Sequence, residues 1–544
     1  MARPDGRTAP VRCLAVLAAA LLGLGIRAVH AGVPAADLLI RGGTVYDGAS
    51  AAPLEADVVV DGDRIAYVGP GGDQHFHARR VLDATGLIVA PGFIDPHGHP
   101  DGFVTARASN ERLVLPWILQ GVSTVFAGVD GAGPPGARTD VAGFFHRLER
   151  QPAGVNVATY VGFGAVRARV LGAQARAPTL AELERMKALV ARGVCDGAMG
   201  LSTGLFYPPQ SFATTEEVIA LAREVAVRGG VYDSHLRDES SYSIGLIAAV
   251  EEAIRIGRLG GLPVHIAHIK ALGVDVQGKA PQVIALIEAA RSRGQDVTAD
   301  QYPWDASGSS LEASLVPRWA FEGGRQRMLA RFADTALADR LHAEMADNLR
   351  RRGGAQALMP VAAGQPWSGQ RLAAIAADWG LDPIDAALRI MRGQPDDTPA
   401  ISFNMSDRDI ELFMRQPWVV TGTDGSTGHP RMYATYPRKY ATYVLDKHTL
   451  SLADFINGST GRTADQFGIA QRGHLRSGDF ADVVVFDPER FRPKADYLHP
   501  TRLSEGVVAL LVNGRFAVDH GKPTGIAAGH PIVRQPPEGR CGST

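Results

Sequence analysis

Cysteine is nearly absent from this 544-residue chain, which holds three: Cys13, Cys195 and Cys541. So few exclude a disulfide-built scaffold and leave the pairing of Cys195 with Cys541 open. An excess of either charge is missing too. Lys and Arg number 56 against 57 Asp and Glu, a net charge of -1, so nothing marks a partner in nucleic acid or an anionic membrane. Small ligands fit better. A membrane-spanning run is also lacking, because the apolar stretch from Cys13 to Ile26 is too short to cross a bilayer comfortably. It follows Arg3, Arg7 and Arg12 and precedes Val29-His30-Ala31, so residues 1–31 read as a secretory signal peptide with a secreted or periplasmic destination. Adjacent arginines are absent, which points to the general export route rather than the twin-arginine one. Cys13 leaves with the leader, and no stable membrane insertion is expected after its removal.

The chain as a whole is a globular mixture, 45% hydrophobic and 21% charged, too long for one ordinary core. Two or three domains are expected. Near the N-terminus "DLLIRGGTVYDG" and "ADVVVDGDRIAYVG" alternate apolar and polar residues between Gly-rich turns, as half-buried strands do. The style returns at "ADVVVFDP" and "ALLVNGRFAV", where Asn513-Gly514 marks a tight hairpin. Neither end carries enough apolar surface to fold alone, so residues 32–88 and 470–535 are read together as one small β-sandwich, with 536–544 as a tail.

Between them the rhythm is strand, helix, strand. Eight β-rich stretches appear: "GFIDPHGH", "VSTVFAGVDG", "NVATYVGFG", "GAMGLSTGL", "VYDSHLRD", "VHIAHIK", "VTADQYPWD" and "WVVTGTDGS". Helix-like spans separate most of them, so residues 89–469 read as an α/β chain forming a (β/α)8 TIM-like barrel, with a doubly wound open sheet as the alternative. A segment rich in Arg, Ala and Glu, about 319–372, reads as a helical insertion after the seventh strand that covers the mouth.

His97 and His99 flank one glycine in "FIDPHGHPDG". Residues two apart on a strand point the same way, with Asp95 a layer below. The pair alone is a modest signal, since two imidazoles can simply cap a polar strand end. His235 ends the fifth stretch and His268 the sixth, and strand C-termini are where active sites of such barrels gather. Four imidazoles from three strands meeting at one mouth point to a zinc-like ion. His265, an odd step from His268, falls on the opposite face and is left out. Asp424 ends the eighth stretch and Asp130 the second, each with a carboxylate at the same mouth. A bound ion lowers the pKa of water to about 7, and the attack then needs a base; Asp424 is the candidate.

These residues resemble the amidohydrolase superfamily, and within it the N-acyl-D-amino-acid deacylases, or D-aminoacylases. The resemblance runs from about Asp37 to Gly525 through "APGFIDPHGH", "GAMGLSTGLFYPP", "SHLRDES", "AHIKALG", "TADQYPWDASG", "TGTDGSTGHPRMY" and "ADVVVFDP". It implies one or two divalent ions per subunit, Zn2+ foremost, on His97, His99, His235 and His268, with Asp424 as acid/base. The substrate implied is a small N-acyl-D-amino acid, cleaved to a carboxylate and a D-amino acid.

Two departures from the family pattern stand out. Where relatives typically carry a cysteine that bridges or binds the metals, this chain has Asp130, a harder donor that loosens selectivity for zinc. The third and fourth stretches contain no lysine to bridge instead, so Asp130 is the bridge candidate. Phe163 stands where relatives often have histidine, which implies an altered pocket. Lys270, read on the same strand face as His268, is placed to meet a substrate carboxylate, with Tyr302 adding a hydrogen bond as in related deacylases and Arg431 a further anchor. A dipeptidase acting on D-residues, a cyclic amidase and a catalytically silent secreted binding protein are the alternatives. The sequence carries no signal for oligomeric state.

Overall fold

In the computed structural model, which describes residues 33–541, the eight anticipated stretches form parallel barrel strands. They are β1 (Phe93–Asp95), β2 (Val122–Ala127), β3 (Asn156–Thr159, resuming at Val161–Gly162), β4 (Gly200–Gly204), β5 (Val231–His235), β6 (Val264–Ile266), β7 (Val297–Gln301) and β8 (Val419–Thr421). The leader read at 1–31 lies outside the described residues. Parallel ladders join each strand to the next from β1 through β8. Among the described residues no ladder joins β8 to β1. The seam closes just beyond the strands, where the Asp424 amide donates to the His97 carbonyl at 2.7 Å and the His99 amide to the Gly425 carbonyl at 3.1 Å.

Between strands the chain runs through helices whose starts are written in sequence. Thr179 caps Leu180–Cys195 by a capping box with Glu182, and Thr214 caps Thr215–Ala226, each satisfying backbone amides that a helix start leaves free. Their apolar faces close over the strands in one large core. Among the described residues no helix is long and apolar enough to cross a membrane.

Both chain ends build a second unit. One sheet orders the strands Arg64–Gly69, Asp57–Asp61, Ala35–Arg41 and His77–Asp83; the other orders Thr44–Val45, Ile88–Pro91, Val483–Phe486, Val507–Val512, Arg515–Asp519 and Lys522–Pro523. Leu38, Val58 and Ile65 of the first pack with Val89, Val483 and Leu511 of the second. The hairpin at Asn513-Gly514 has φ of 49° and 73°, the left-handed pair a tight two-residue turn requires. Asn513 also ties the two units together. Its side chain donates to Asn156 of β3 at 2.8 Å and to the Ala528 carbonyl at 2.7 Å, while its amide donates to Asp482 at 2.8 Å.

Two boundaries differ from the sequence reading. The insertion between β7 and β8 is not helical only and not confined to 319–372. It opens with the strand Ala306–Ser310 and runs to Pro399–Phe403, which pairs antiparallel with both that strand and Leu358–Pro360. Helices such as Ala338–Arg351 and Pro383–Arg392 share a separate core with Leu311, Met345 and Trp367. Its strands are three to five residues long, and "ASGSS" carries no apolar alternation, so no strand signal was visible. The C-terminal segment also leaves the sandwich before 535: Gly529, Ile532 and Arg534 donate to the carbonyls of Ala153, Val157 and Gly197 under β3 and β4. Cys541 then joins Cys195 at the end of the first of the two capped helices, settling a pairing the sequence left open.

Replacing Asn513 by Ala removes two side-chain bonds and puts into a left-handed turn a residue that tolerates it less well than Asn, a cost of about 2 kcal/mol. A melting temperature several degrees lower, read by calorimetry, is the expected result.

Candidate metal centre

The β1 strand stops at Asp95 because Pro96 has no amide to continue the ladder. His97 and His99 therefore lie beyond the strand, not on one of its faces, and the loop rather than the pleat brings them together, with ring centres 5.9 Å apart. Gly98 is needed here: a Cβ would meet Asp95 Oδ2 at 2.7 Å and Thr423 Oγ1 at 3.1 Å. Buried Asp95 accepts from the Thr423 amide at 2.9 Å, Thr423 Oγ1 at 2.5 Å and Trp117 Nε1 at 2.7 Å. Burial pushes its carboxyl up to about 6 against these donors. Asp95 thus pins the β8 end to the histidine loop.

Asp130 sits three residues past the end of β2 in the left-handed region, φ 55°, a conformation Asp tolerates better than most. Its carboxylate lies 3.3 Å from His97 Nε2, 3.4 Å from His235 Nδ1, 3.6 Å from His99 Nε2 and 3.7 Å from His268 Nε2. All four imidazoles face it. Burial would raise the carboxyl, but the His235 and His97 rings hold it well below the usual range. Both ring nitrogens of His97, Nδ1 of His235 and Oδ1 of Asp130 are buried without a hydrogen-bond partner among the described residues. Buried polar atoms of this kind normally find hydrogen-bond partners, and nitrogen and oxygen atoms converging unpaired are what a divalent cation takes up. The residues present fit such an ion. Ligand atoms of His97, Asp130 and His268 come within 4.8 Å of one another, and so do those of His97, His99 and Asp424.

Asp424, also left-handed at φ 45°, places Oδ1 3.4 Å from His99 Nε2 and Oδ2 2.6 Å from Arg431 Nη1. Burial works against its charge, and Arg431 and His268 overcome that and keep its carboxyl far below the ordinary range. Arg431 also donates to Ser426 Oγ at 2.9 Å and lies 4.6 Å from the Tyr302 ring centre. Lys270 is not on the β6 strand, which ends at Ile266; its Nζ donates to Glu239 Oε1 at 2.6 Å and lies 2.6 Å from His268 Nδ1. A cavity of about 440 Å³ is lined by every metal-ligand, base and substrate-binding candidate named from the sequence except His97, which is fully buried. Phe163 does not line it. That residue opens the helix Phe163–Leu171 and is buried in the main core, so the altered pocket expected there is not found.

Three acidic residues were missed. Asp233 lies two before His235 on β5, fully buried, its Oδ2 3.8 Å from His97 Nδ1; the period-two spacing could have found it. Asp300 on β7 accepts from His265 Nε2 at 3.0 Å and the His268 amide at 3.1 Å, so His265 stands outside the ligand group yet holds a residue that orients it. Glu239 lies in a loop after β5, where no strand period applies. The Lys270 ammonium beside it, with His235, overcomes burial and holds its carboxyl far down.

Residues 80–518 match the amidohydrolase family model. The chain is 35% identical to a D-aminoacylase of Alcaligenes xylosoxydans xylosoxydans over 522 residues, 92% of this chain and 98% of that one. A crystal structure of D-aminoacylase, one said to define a novel subset of amidohydrolases, superposes with a TM-score of 0.76 at 33% identity, covering 92% of this chain and all of the other. An N-acyl-D-glutamate deacylase from Bordetella bronchiseptica, solved with zinc and a phosphonate mimic of the tetrahedral intermediate, gives 0.76 at 31% identity, covering 92% and 99%. With a barrel whose strand ends converge on four imidazoles and two carboxylates, the chain belongs to the amidohydrolase family.

Proposed function

We propose that this protein hydrolyses the amide bond of N-acyl-D-amino acids, releasing a carboxylate and a D-amino acid. The observation that carries the reading is Asp424, held 3.4 Å from His99 and 2.6 Å from Arg431 at the edge of the imidazole cluster, beside a cavity of about 440 Å³. Likeness to D-aminoacylase and the N-acyl-D-glutamate deacylase over some nine-tenths of the chain supports the substrate class.

His97, His99, His235 and His268, together with Asp130, would hold one or two zinc ions. When bound, zinc polarises the acyl carbonyl and makes water acidic enough to attack near neutral pH. Asp424 accepts the proton of the attacking water at its carboxylate and returns it to the departing amine nitrogen. Arg431 fixes the orientation of Asp424 and stabilises its charged form, so the base is ready at neutral pH. Lys270, Tyr302 and Arg431 bind the α-carboxylate of the substrate and orient the scissile amide. Glu239 holds Lys270 in place for that contact.

The N-terminal run of arginines and apolar residues, together with the Cys195–Cys541 bond, supports export to the periplasm or beyond, since disulfides persist in oxidising compartments.

Amine release from paired N-acetyl-D- and N-acetyl-L-amino acids by zinc-loaded protein tests the function; turnover confined to D-substrates is expected, and a preference for L-substrates overturns it. Asp424→Asn lowers kcat by roughly 100- to 10,000-fold while zinc content by mass spectrometry stays at the wild-type level. In Asp130→Ala the zinc affinity falls by at least about 100-fold in equilibrium dialysis, because a ligand weighs more than the outer contacts whose loss costs 10- to 100-fold.

A further inference from the structure

Three cations reach into the cavity, and two of them arrive compensated. Lys270 is paired with Glu239 and Arg431 with Asp424. Arg352 is different. It follows the helix Ala338–Arg351 of the insertion, lines the same cavity and is 2% exposed. Its Nε donates to Tyr242 Oη at 2.5 Å, and its Nη1 to Ser402 Oγ at 3.2 Å and Ser307 Oγ at 3.4 Å. All three acceptors are neutral hydroxyls, and among the described residues no carboxylate pairs with this guanidinium.

Its neighbours add positive charge. Arg318, Arg351 and Arg352 stand around the Tyr242 ring, with Cζ atoms 5.7, 5.7 and 5.5 Å from its centre. Arg351 is paired with Asp347, whereas Arg318 bonds the carbonyls of Ala313 and Val316. The one carboxylate the insertion sends to the cavity wall, Asp397, is taken by Arg325 at 2.5 Å. A buried guanidinium satisfied only by hydroxyls keeps its full charge to offer, because hydrogen bonds to neutral groups do not offset the loss of hydration of an ion.

Place in the site narrows what it offers that charge to. Ser307 touches Arg352, and the adjacent Gly308 carbonyl accepts from Arg431 Nη2 at 3.4 Å. Consecutive Cα atoms are only about 3.8 Å apart, so one short strand stands between the two guanidiniums, one beside Asp424 and one facing open cavity. An amino acid bearing two carboxylates matches this pair of positions.

We propose that Arg352 receives the side-chain carboxylate of the substrate, so that N-acyl derivatives of acidic D-amino acids are preferred. The inference rests on the deacylase reading above and assigns the side-chain end of the same site.

N-acetyl-D-glutamate and N-acetyl-D-glutamine are nearly equal in size and differ in that charge. With zinc-loaded wild-type protein, kcat/KM is expected to favour the glutamate on the order of 10- to 100-fold, the weight of a hydrogen-bonded charge contact. Arg352→Met is expected to erase the preference by slowing the glutamate while the glutamine stays within about threefold, and Arg352→Lys to restore part of it. Equal wild-type turnover of the two substrates overturns the assignment of Arg352 and leaves the deacylase reading intact. So does a folded Arg352→Met protein that loses both substrates alike. Turnover of neither substrate, nor of any other N-acyl-D-amino acid, overturns both.

Discussion

One carboxylate faced by four imidazoles is the constraint on which the rest of the molecule depends. Asp130 lies within 3.3 to 3.7 Å of His97, His235, His99 and His268, in a region where uncompensated charge costs several kcal/mol per group. Two of the four, His97 and His268, are in turn restrained from behind. Asp233 stands by His97, Asp300 holds the His268 amide, and Glu239 lies 3.1 Å from His268 Nδ1. Outer contacts of this kind fix which nitrogen faces inward, which decides whether a set of side chains can act as ligands at all.

The barrel delivers these groups through its weakest point. No ladder closes β8 onto β1 among the described residues, and two backbone bonds beyond the strands close the seam instead. One of them joins Asp424 to His97. Asp95 reinforces the seam with bonds to Thr423 and Trp117. The base and the histidine loop are therefore positioned by the same closure, so a change that opens the seam separates both at once. The insertion completes the cavity from above, while the C-terminal segment and the Cys195–Cys541 bond brace the opposite end of the barrel.

The eight strands were legible because most carry a short apolar run ended by Gly, Pro or a polar cluster and helix-like spans separate most of them, and the histidines at their ends were legible as a group rather than singly. His97 and His99 converge as expected, but by a loop after Pro96 and not by pleat alternation. Lys270 likewise reaches the cavity from irregular chain past β6. The insertion was only half visible, since strands of three to five residues with serine and glycine leave no periodic trace. Glu239 was hidden for a related reason: its place depends on a loop path that no spacing rule describes. Phe163 misled because a departure from a family pattern says nothing about which way the side chain turns, and here it turns into the core.

Where the family resemblance leads one to expect cysteine, Asp130 offers oxygen, a donor that suits a wider set of divalent ions than thiolate does. The chemistry of the site depends on that oxygen meeting an ion. Diffraction from crystals of the zinc-loaded protein, recorded across the zinc absorption edge, tests this directly. The expected result is an anomalous peak in contact with the Asp130 carboxylate and with imidazoles from at least two of the three segments that bear His97, His235 and His268. A peak elsewhere, or rings turned away from Asp130 with the ion bound, would contradict it.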